Sequence, residues 1–136
     1  MSFSLEIVSP LRQVLAAKVS EVVLPAHDGE VGILESHENF VGMLGTGALK
    51  YVAESNDSWL MVSSGTYQVI GGKLIITAEV VEEAKDLDAE RAKQDLAKLE
   101  QELSKLSAND AGYNTKKLEL QRAKARLEVN RRMKLN

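Results

Sequence analysis

The sequence predicts two structural parts: an all-β domain, a small sandwich or barrel, in residues 1–84 and a hairpin of two α-helices in residues 85–136. Residues 1–84 contain eight of the nine glycines, both prolines and several short β-branched runs, which is the composition of short strands joined by tight turns. Residues 85–136 contain one glycine and no proline, and their leucines and alanines recur at helical spacing. The change near residue 85 therefore predicts a domain boundary.

Short strands bounded by turn residues, eight or so in number, are predicted throughout residues 1–84. The first strand ends at Ser9-Pro10 and the next region ends at Pro25, because proline lacks the amide donor that a strand ladder needs. The strands are predicted at residues 5–8, 12–24 (as one long or bent strand, or two short ones), 30–34, 48–52, 59–62, 66–70 and 73–81.

Glycines are predicted to separate the later strands. Three of them interrupt residues 42–47, and Gly65 is predicted to be the break between two strands. Gly71-Gly72 is a two-residue hairpin signature, because glycine adopts the positive φ angles that such turns require. Turns at this close spacing are typical of a small all-β sandwich or barrel.

The first predicted helix has a narrow apolar face. Asp86 and Asp88 lie where an N-cap residue and first-turn acids belong, and residues 107–112 end the helix, with Gly112 available for a left-handed conformation. The apolar residues follow one another in steps of four and three, a stripe suited to one partner helix. They are Ala92, Leu96, Leu99, Leu103 and Leu106.

The second predicted helix has two apolar faces and a high positive charge. One face can pack against the first helix, and the other requires either this protein's own sheet or a groove on a partner. Residues 1–84 have a net charge of −7 and residues 113–134 a net charge of +6, so this helix can be attracted to its own domain or to an acidic partner. The two faces contain, respectively, Leu120, Ala123 and Leu127, and Leu118, Ala125, Val129 and Met133.

Catalysis by this chain is not expected. It has no cysteine, which excludes thiol catalysis, disulfides and thiolate metal sites, and His27 and His37 are too few for a metal site. It contains no Gly-x-x-x-x-Gly-Lys-Ser/Thr phosphate loop and no evident Ser/His/Asp triad. No window approaches the ~18 consecutive apolar residues of a membrane-spanning helix.

Two blocks of sequence carry a family resemblance. Residues 25–37 read Pro-Ala-His-Asp-Gly-Glu-Val-Gly-Ile-Leu-Glu-Ser-His, preceded by Leu-Glu-Ile-Val-Ser-Pro at 5–10 and followed by Leu-Gly-Thr-Gly-Ala-Leu at 44–49. In this order they resemble the ε subunit of F-type ATP synthase. Residues 87–92, Leu-Asp-Ala-Glu-Arg-Ala, are similar to the (Ile/Leu)-Asp-x-x-Arg-Ala motif by which bacterial ε subunits bind ATP. The resemblance covers essentially the whole chain.

The resemblance implies a non-catalytic rotor subunit. It implies an N-terminal sandwich that binds the central γ subunit and touches the c-ring, at the cytoplasmic face of the bacterial inner membrane, with membrane contact only through the complex. It implies a hairpin that either folds against the sandwich or extends along γ toward the catalytic β and α subunits, where it inhibits ATP hydrolysis. The resemblance further implies that no cofactor is required and that ATP is a regulatory ligand that favours the folded hairpin.

The nucleotide site implied by the motif draws residues from both parts of the chain. Leu87 is expected to pack near the base, Asp88 to hydrogen-bond it, Arg91 to bind phosphates and Ala92 to permit close approach. The resemblance adds Glu82, Lys98, Arg122 and Arg126.

This chain departs from the family's nucleotide site at one position, and its candidate residues also have an alternative structural role. Lys98 stands where the family has a further arginine, so it supplies charge without a bidentate fork. The structural alternative is that Asp88 is a capping acid paired with Arg91, and that Arg122 and Arg126, one turn apart, lie on a solvated face.

The resemblance also implies that His37 and its loop contact the c-ring or the γ subunit. These candidate residues are Glu30, Glu35, Ser36, His37 and Glu38.

Two other classes remain as alternatives. A chaperone or transcription-cleavage-type factor with a coiled coil would carry acids at its hairpin tip, where this chain has only Asp110. A nucleic-acid binder would use the basic helix, but that helix has one aromatic residue, Tyr113, and two apolar stripes, which leave little surface for phosphates. No nucleic-acid partner is therefore expected.

Overall fold

The computed structural model describes residues 2–35 and 38–135, and it confirms the predicted fold class, an all-β sandwich followed by an α-helical hairpin. A single 3-10 turn, Ala84–Asp86, connects the two parts. The strands are β1 (Phe3–Val8), β2 (Gln13–Val19), β3 (Glu21–Ala26), β4 (Gly29–Ile33), β5 (Phe40–Ala53), β6 (Asn56–Ile70) and β7 (Lys73–Glu83), and the helices are α1 (Ala89–Ser104) and α2 (Tyr113–Leu135).

The seven described strands form one continuous hydrogen-bonded sheet, which folds into two layers. Their order is β2-β1-β7-β6-β5-β3-β4, antiparallel throughout except for the parallel pair β1 and β7. Three strands separate β2 from β5 in this order, yet the two strands pack against each other, so the sheet forms two layers. Alternate residues of the strands fill the space between the layers and stabilise it by burial of apolar surface. Among the most buried are Leu5, Ile7, Val22, Leu24, Leu49, Leu74 and Ile76.

The predicted hairpin at Gly71-Gly72 is correct, but the strand boundaries predicted at residues 42–47 and at Gly65 are wrong. β5 continues through residues 42–47 and β6 continues through Gly65, so the described residues form seven strands where eight or so are expected. At Gly65 a Cβ atom would lie 1.8 Å from the carbonyl oxygen of Thr77 on β7, and at Gly42 it would lie 2.3 Å from the ring of Tyr67. These glycines permit close packing inside strands, a role that depends on the neighbouring strand and leaves no local signal.

Pro25 does not end a strand either, because β3 continues to Ala26. Pro25 lies at an irregularity of the sheet, because the pairing of β3 with β5 shifts register between Val23 and Ala26. A proline without an amide donor is tolerated at such a bulge. The predicted break at Ser9-Pro10 is correct, since β1 ends at Val8.

The helix predictions are largely confirmed. Asp88 is the N-cap of α1, and its Oδ1 accepts a hydrogen bond of 3.1 Å from the backbone N–H of Arg91. Asp86 belongs instead to the 3-10 turn, and Leu106 lies beyond the end of α1. Gly112 has the predicted left-handed conformation, with φ of +83°, but it immediately precedes α2.

The two-faced second helix lies between the first helix and the sandwich. α1 packs along α2, and α2 packs on β5 and β6. Ala125 and Val129 are buried against Met61 of β6, so the middle of the second apolar face is covered by this protein's own sheet, whereas Met133 is exposed. The hairpin is therefore folded onto the sandwich in this structure.

Candidate nucleotide site at the junction of sandwich and hairpin

The end of β7, the start of α1 and the middle of α2 enclose a cavity of about 420 Å³. The 3-10 turn reverses the chain directly after β7, which brings the last strand residues next to the capped N-terminus of α1. Six of the eight residues predicted for nucleotide binding line this cavity: Glu82, Leu87, Asp88, Arg91, Ala92 and Arg126.

Arg126 and Glu82 form a bidentate ion pair at one wall of the cavity. Arg126 Nε donates to Glu82 Oε1 at 2.6 Å, and Nη2 donates to Oε2 at 3.0 Å. The hydrogen bonds to Glu82 raise the pKa of Arg126 against the opposing effect of burial, and the charges of Glu82 and Asp95 contribute in the same direction. Arg126 is thus a fixed, permanently protonated donor.

The opposite wall is the first turn of α1. The carboxylate of Asp88 caps the helix, Arg91 is exposed and Ala92 is buried. Leu87 is half-buried and packs against the cluster formed by Met61, Ala125 and Val129. This wall therefore offers an apolar contact, a carboxylate acceptor and a free-standing guanidinium within one helical turn.

Lys98 and Arg122 lie outside this cavity. Lys98 lines an adjacent cavity of about 300 Å³ between α1 and α2, which shares Arg126 as a wall, and its Nζ is 4.0 Å from Glu102 Oε1. Arg122 points at the sandwich instead, where its Nε donates to Ser63 Oγ at 2.8 Å. The two arginines of α2 thus have different partners although they are one turn apart.

Two acidic residues of the cavity were missed by sequence reasoning. Asp86 and Asp95 join Glu82 and Asp88, so the lining carries four carboxylates and two guanidinium groups. Asp95 follows Arg91 by four positions on α1, and helical periodicity could have placed it on the same face. With Arg126 already bound to Glu82, an anionic ligand that binds Arg126 must either share that arginine or replace the carboxylate.

The candidate stalk loop is described only in part. Glu30 lies on the edge strand β4, and Glu35 and Glu38 follow that strand; all three are exposed. Ser36 and His37, the other two candidates, lie outside the described residues. Within residues 2–35 and 38–135, no group of three or more acidic, histidine or cysteine side chains is placed to hold a metal ion.

Comparison with known proteins agrees with the fold and the motifs. A family model described as "ATP synthase, Delta/Epsilon chain, beta-sandwich domain" matches residues 2–84. The ATP synthase epsilon chain of Geotalea uraniireducens is 33% identical over 124 residues, covering 91% of this chain and 90% of the relative. That of Anaeromyxobacter dehalogenans is 33% identical over 129 residues, covering 95% and 98%.

Solved structures show the same fold. A chain in the mitochondrial ATP synthase of Euglena gracilis, solved with OSCP, F1 and the c-ring, superposes with a TM-score of 0.80 at 19% identity, covering 99% of this chain and 82% of that chain. A chain from the central stalk and c-ring of the Tetrahymena thermophila enzyme has a TM-score of 0.63 at 11% identity. In the part of the chain that the structure describes, no helix is long and apolar enough to cross a membrane.

The extent of these matches decides the family. The sandwich model covers more than half of the chain, and the curated relatives cover nearly all of it, including the hairpin. The chain belongs to the ATP synthase epsilon chain family, as its motifs predicted, and is a non-catalytic subunit of ATP synthase.

Proposed function

We propose that this chain is a rotor subunit of the central stalk, whose sandwich binds the γ subunit and the c-ring and whose hairpin controls ATP hydrolysis. In this proposal the extended hairpin reaches the catalytic β and α subunits and inhibits hydrolysis, and the folded hairpin does not. The protein works at the cytoplasmic face of the bacterial inner membrane, to which its partners hold it. Membership of the ATP synthase epsilon chain family supports this proposal.

One observation carries the regulatory part of the proposal: the apolar contact between the hairpin and the sandwich is separate from the core of the sandwich. Met61, Ala125 and Val129 form a small buried cluster under α2, distinct from the cluster between the two layers of the sandwich. Because the sandwich core contains no hairpin residue, α2 can leave the sheet without opening that core. Undocking exposes the small cluster and the hydrogen-bonded pair of Arg122 and Ser63, at a free-energy cost that a partner surface can offset.

We further propose that ATP binds in the junction cavity and favours the folded hairpin. Leu87 would pack against the base, Asp88 would accept a hydrogen bond from it, and Arg91 and Arg126 would bind phosphates. Because the cavity is built from β7, α1 and α2 together, a ligand that touches all three binds the folded form better than the extended one. Lys98, in the adjacent cavity behind Arg126, is within reach of an extended polyphosphate.

Strand β4 and the loop after it are the proposed contact with the rest of the stalk. They present exposed acidic side chains at Glu30 on the strand and at Glu35 and Glu38 beyond it, beside Leu34, which is 62% exposed. An exposed leucine within an acidic rim is a typical feature of a partner contact. Ser36 and His37 are included in this proposal on the sequence resemblance.

Limited proteolysis of the isolated protein tests the ATP proposal. ATP is expected to protect residues 85–136 from cleavage, and Arg91→Ala or Arg126→Ala is expected to abolish that protection. Arg131→Ala is the matched control, because Arg131 is on the same helix and its side chain bonds to Glu128 of that helix. Unchanged cleavage of the parent protein at millimolar ATP contradicts the proposal.

Hydrolysis by the assembled enzyme tests the inhibitory role. The enzyme is assembled with the full-length chain and with a chain that ends at residue 84, and ATP hydrolysis is measured in both. Faster hydrolysis with the shortened chain is the expected result. Equal rates show that the hairpin does not inhibit.

A further inference from the structure

A buried polar cluster lies beneath α2, away from the junction cavity. Its centre is Ser63 of β6, the one polar residue of the described chain that is fully buried. Ser63 Oγ accepts a hydrogen bond from Arg122 Nε at 2.8 Å and lies 2.7 Å from Thr46 Oγ1 on the paired strand β5. A side chain of the hairpin thus hydrogen-bonds to a fully buried residue of the sandwich.

Arg122 is held in a largely dry position by this contact. Its side chain is 16% exposed, and its Nη2, which is buried without a hydrogen bond to any described residue, forms a long ion pair of 3.9 Å with the exposed Glu79 Oε2. Burying a guanidinium group costs free energy unless its donors are paired, so the shorter bond to Ser63 is important for docking. When α2 leaves the sheet, the hydrogen bond between Arg122 and Ser63 breaks and both side chains become hydrated.

The Arg122–Ser63 bond is less accessible to ligands than the Arg126–Glu82 pair. Arg126 and Glu82 line the junction cavity, where a phosphate can compete for the guanidinium. Ser63 is 0% exposed, and neither Ser63 nor Arg122 lines that cavity. A ligand in the cavity therefore does not reach the Arg122–Ser63 bond while the hairpin is docked.

We propose that the Arg122–Ser63 bond holds the hairpin on the sandwich in the absence of nucleotide, and that Arg122 belongs to this interface rather than to the nucleotide site. Two consecutive turns of α2 then attach to the sandwich in different ways. A ligand in the junction cavity can replace Glu82 as the partner of Arg126, whereas the bond between Arg122 and Ser63 is out of its reach. Nucleotide binding can therefore break the Arg126–Glu82 pair while the Arg122–Ser63 bond keeps α2 on the sheet.

Hydrogen–deuterium exchange of the full-length chain without nucleotide tests this proposal. Ser63→Ala leaves the guanidinium without its acceptor, and Arg122→Gln removes the guanidinium. Each is expected to speed exchange of the α2 amides about tenfold, because Ser63→Ala leaves a buried donor of Arg122 unpaired and Arg122→Gln removes the bond that joins the hairpin to Ser63. The amides of β1 and β7 are expected to keep their parent exchange rates, which shows that the sandwich itself remains folded.

Two further variants make the test specific. Arg131→Gln, on the same helix but bonded to Glu128, is the control and is expected to leave α2 exchange unchanged. The double variant Ser63→Ala with Arg122→Met removes both polar partners and is expected to return α2 exchange close to that of the parent, because an apolar pair needs no hydrogen bond.

Three outcomes overturn the proposal. They are parent-like α2 exchange in both single variants, equal acceleration of α2 and of the sandwich strands, and a double variant in which the two single effects simply add. Since no nucleotide is present, failure of ATP to bind the junction cavity does not affect this result.

Discussion

Arg126 of α2 and Glu82 of β7, 44 residues apart in sequence, are joined by two parallel hydrogen bonds of 2.6 Å and 3.0 Å. Both side chains are less than one third exposed. A bidentate pair fixes the direction of the guanidinium plane as well as its distance. The middle of α2 is consequently oriented against the last strand of the sandwich, at the wall of the proposed ATP site.

Arg126→Lys is expected to weaken hairpin docking although it conserves the charge. Lysine cannot make two parallel hydrogen bonds to one carboxylate, and the loss is about 1 kcal/mol for a partly exposed pair. A loss of this size lowers Tm by about 3 °C in a chain of this length. The comparison is with Arg131→Lys, which changes an exposed arginine of the same helix. A Tm for Arg126→Lys equal to that of the Arg131→Lys control contradicts the expectation.

Trp59, the only tryptophan of the chain, is expected to report hairpin docking by its fluorescence. Its ring packs against the cluster under α2, and the Arg132 Cζ atom lies 5.2 Å from the ring centroid, a cation–π contact. Removal of residues 85–136 exposes the ring to water and is expected to shift its emission to longer wavelength. The measurement compares emission spectra of the full-length chain and of a chain ending at residue 84; identical maxima would show that the hairpin does not cover Trp59 in solution.

Gly65→Ala is expected to destabilise the sandwich by about 2–3 kcal/mol. The new methyl group would lie 1.8 Å from the carbonyl oxygen of Thr77, so one of two paired strands must move. Gly32→Ala is the matched control, because a methyl group there meets no atom within 4 Å, and its effect is expected to stay within about 0.5 kcal/mol. Denaturant unfolding of both variants measures the difference; similar midpoints would contradict the packing argument.

The pairing of Lys116 with Glu102 predicts a pH dependence of the hairpin. The hydrogen bond from Lys116 lowers the pKa of Glu102, and the bond to Glu102 raises the pKa of Lys116. The lowered pKa of Glu102 stabilises the folded form at pH values above its unfolded-state pKa of about 4.3. This stabilisation is lost as the pH falls through the lowered pKa of the folded state. The raised pKa of Lys116 stabilises below the unfolded value of about 10.4 and loses this effect as pH rises through the raised value.

The stabilisation by this pair is therefore expected between about pH 4 and pH 10. Unfolding of parent and Glu102→Gln is to be measured from pH 7 down to pH 2. The difference in stability between the two proteins is expected to disappear at the acid end. A difference that persists at the lowest pH excludes this ion pair as its cause.

The helical part of the chain was predicted more accurately than the strands. Asp88 is the N-cap, and α2 packs against α1 on one side and the sandwich on the other, because capping and helical periodicity depend on residues within one or two turns. Gly65 and Pro25 were placed at strand ends and lie inside strands. Their roles depend on Thr77 and on the register of β5, which are distant in sequence.

The division near residue 85, the two helices after it and the motif at residues 87–92 can be read from the sequence, because each is encoded in neighbouring residues. Which arginine of α2 meets Glu82 depends on how the hairpin packs on the sheet. Arg122 and Arg126 differ by about 40° around the helix, so periodicity alone treats them as equivalent. The packing of Val129 on Met61 sets the rotation and height of α2 on the sheet, and that placement brings Arg126 to Glu82 and Arg122 to Ser63.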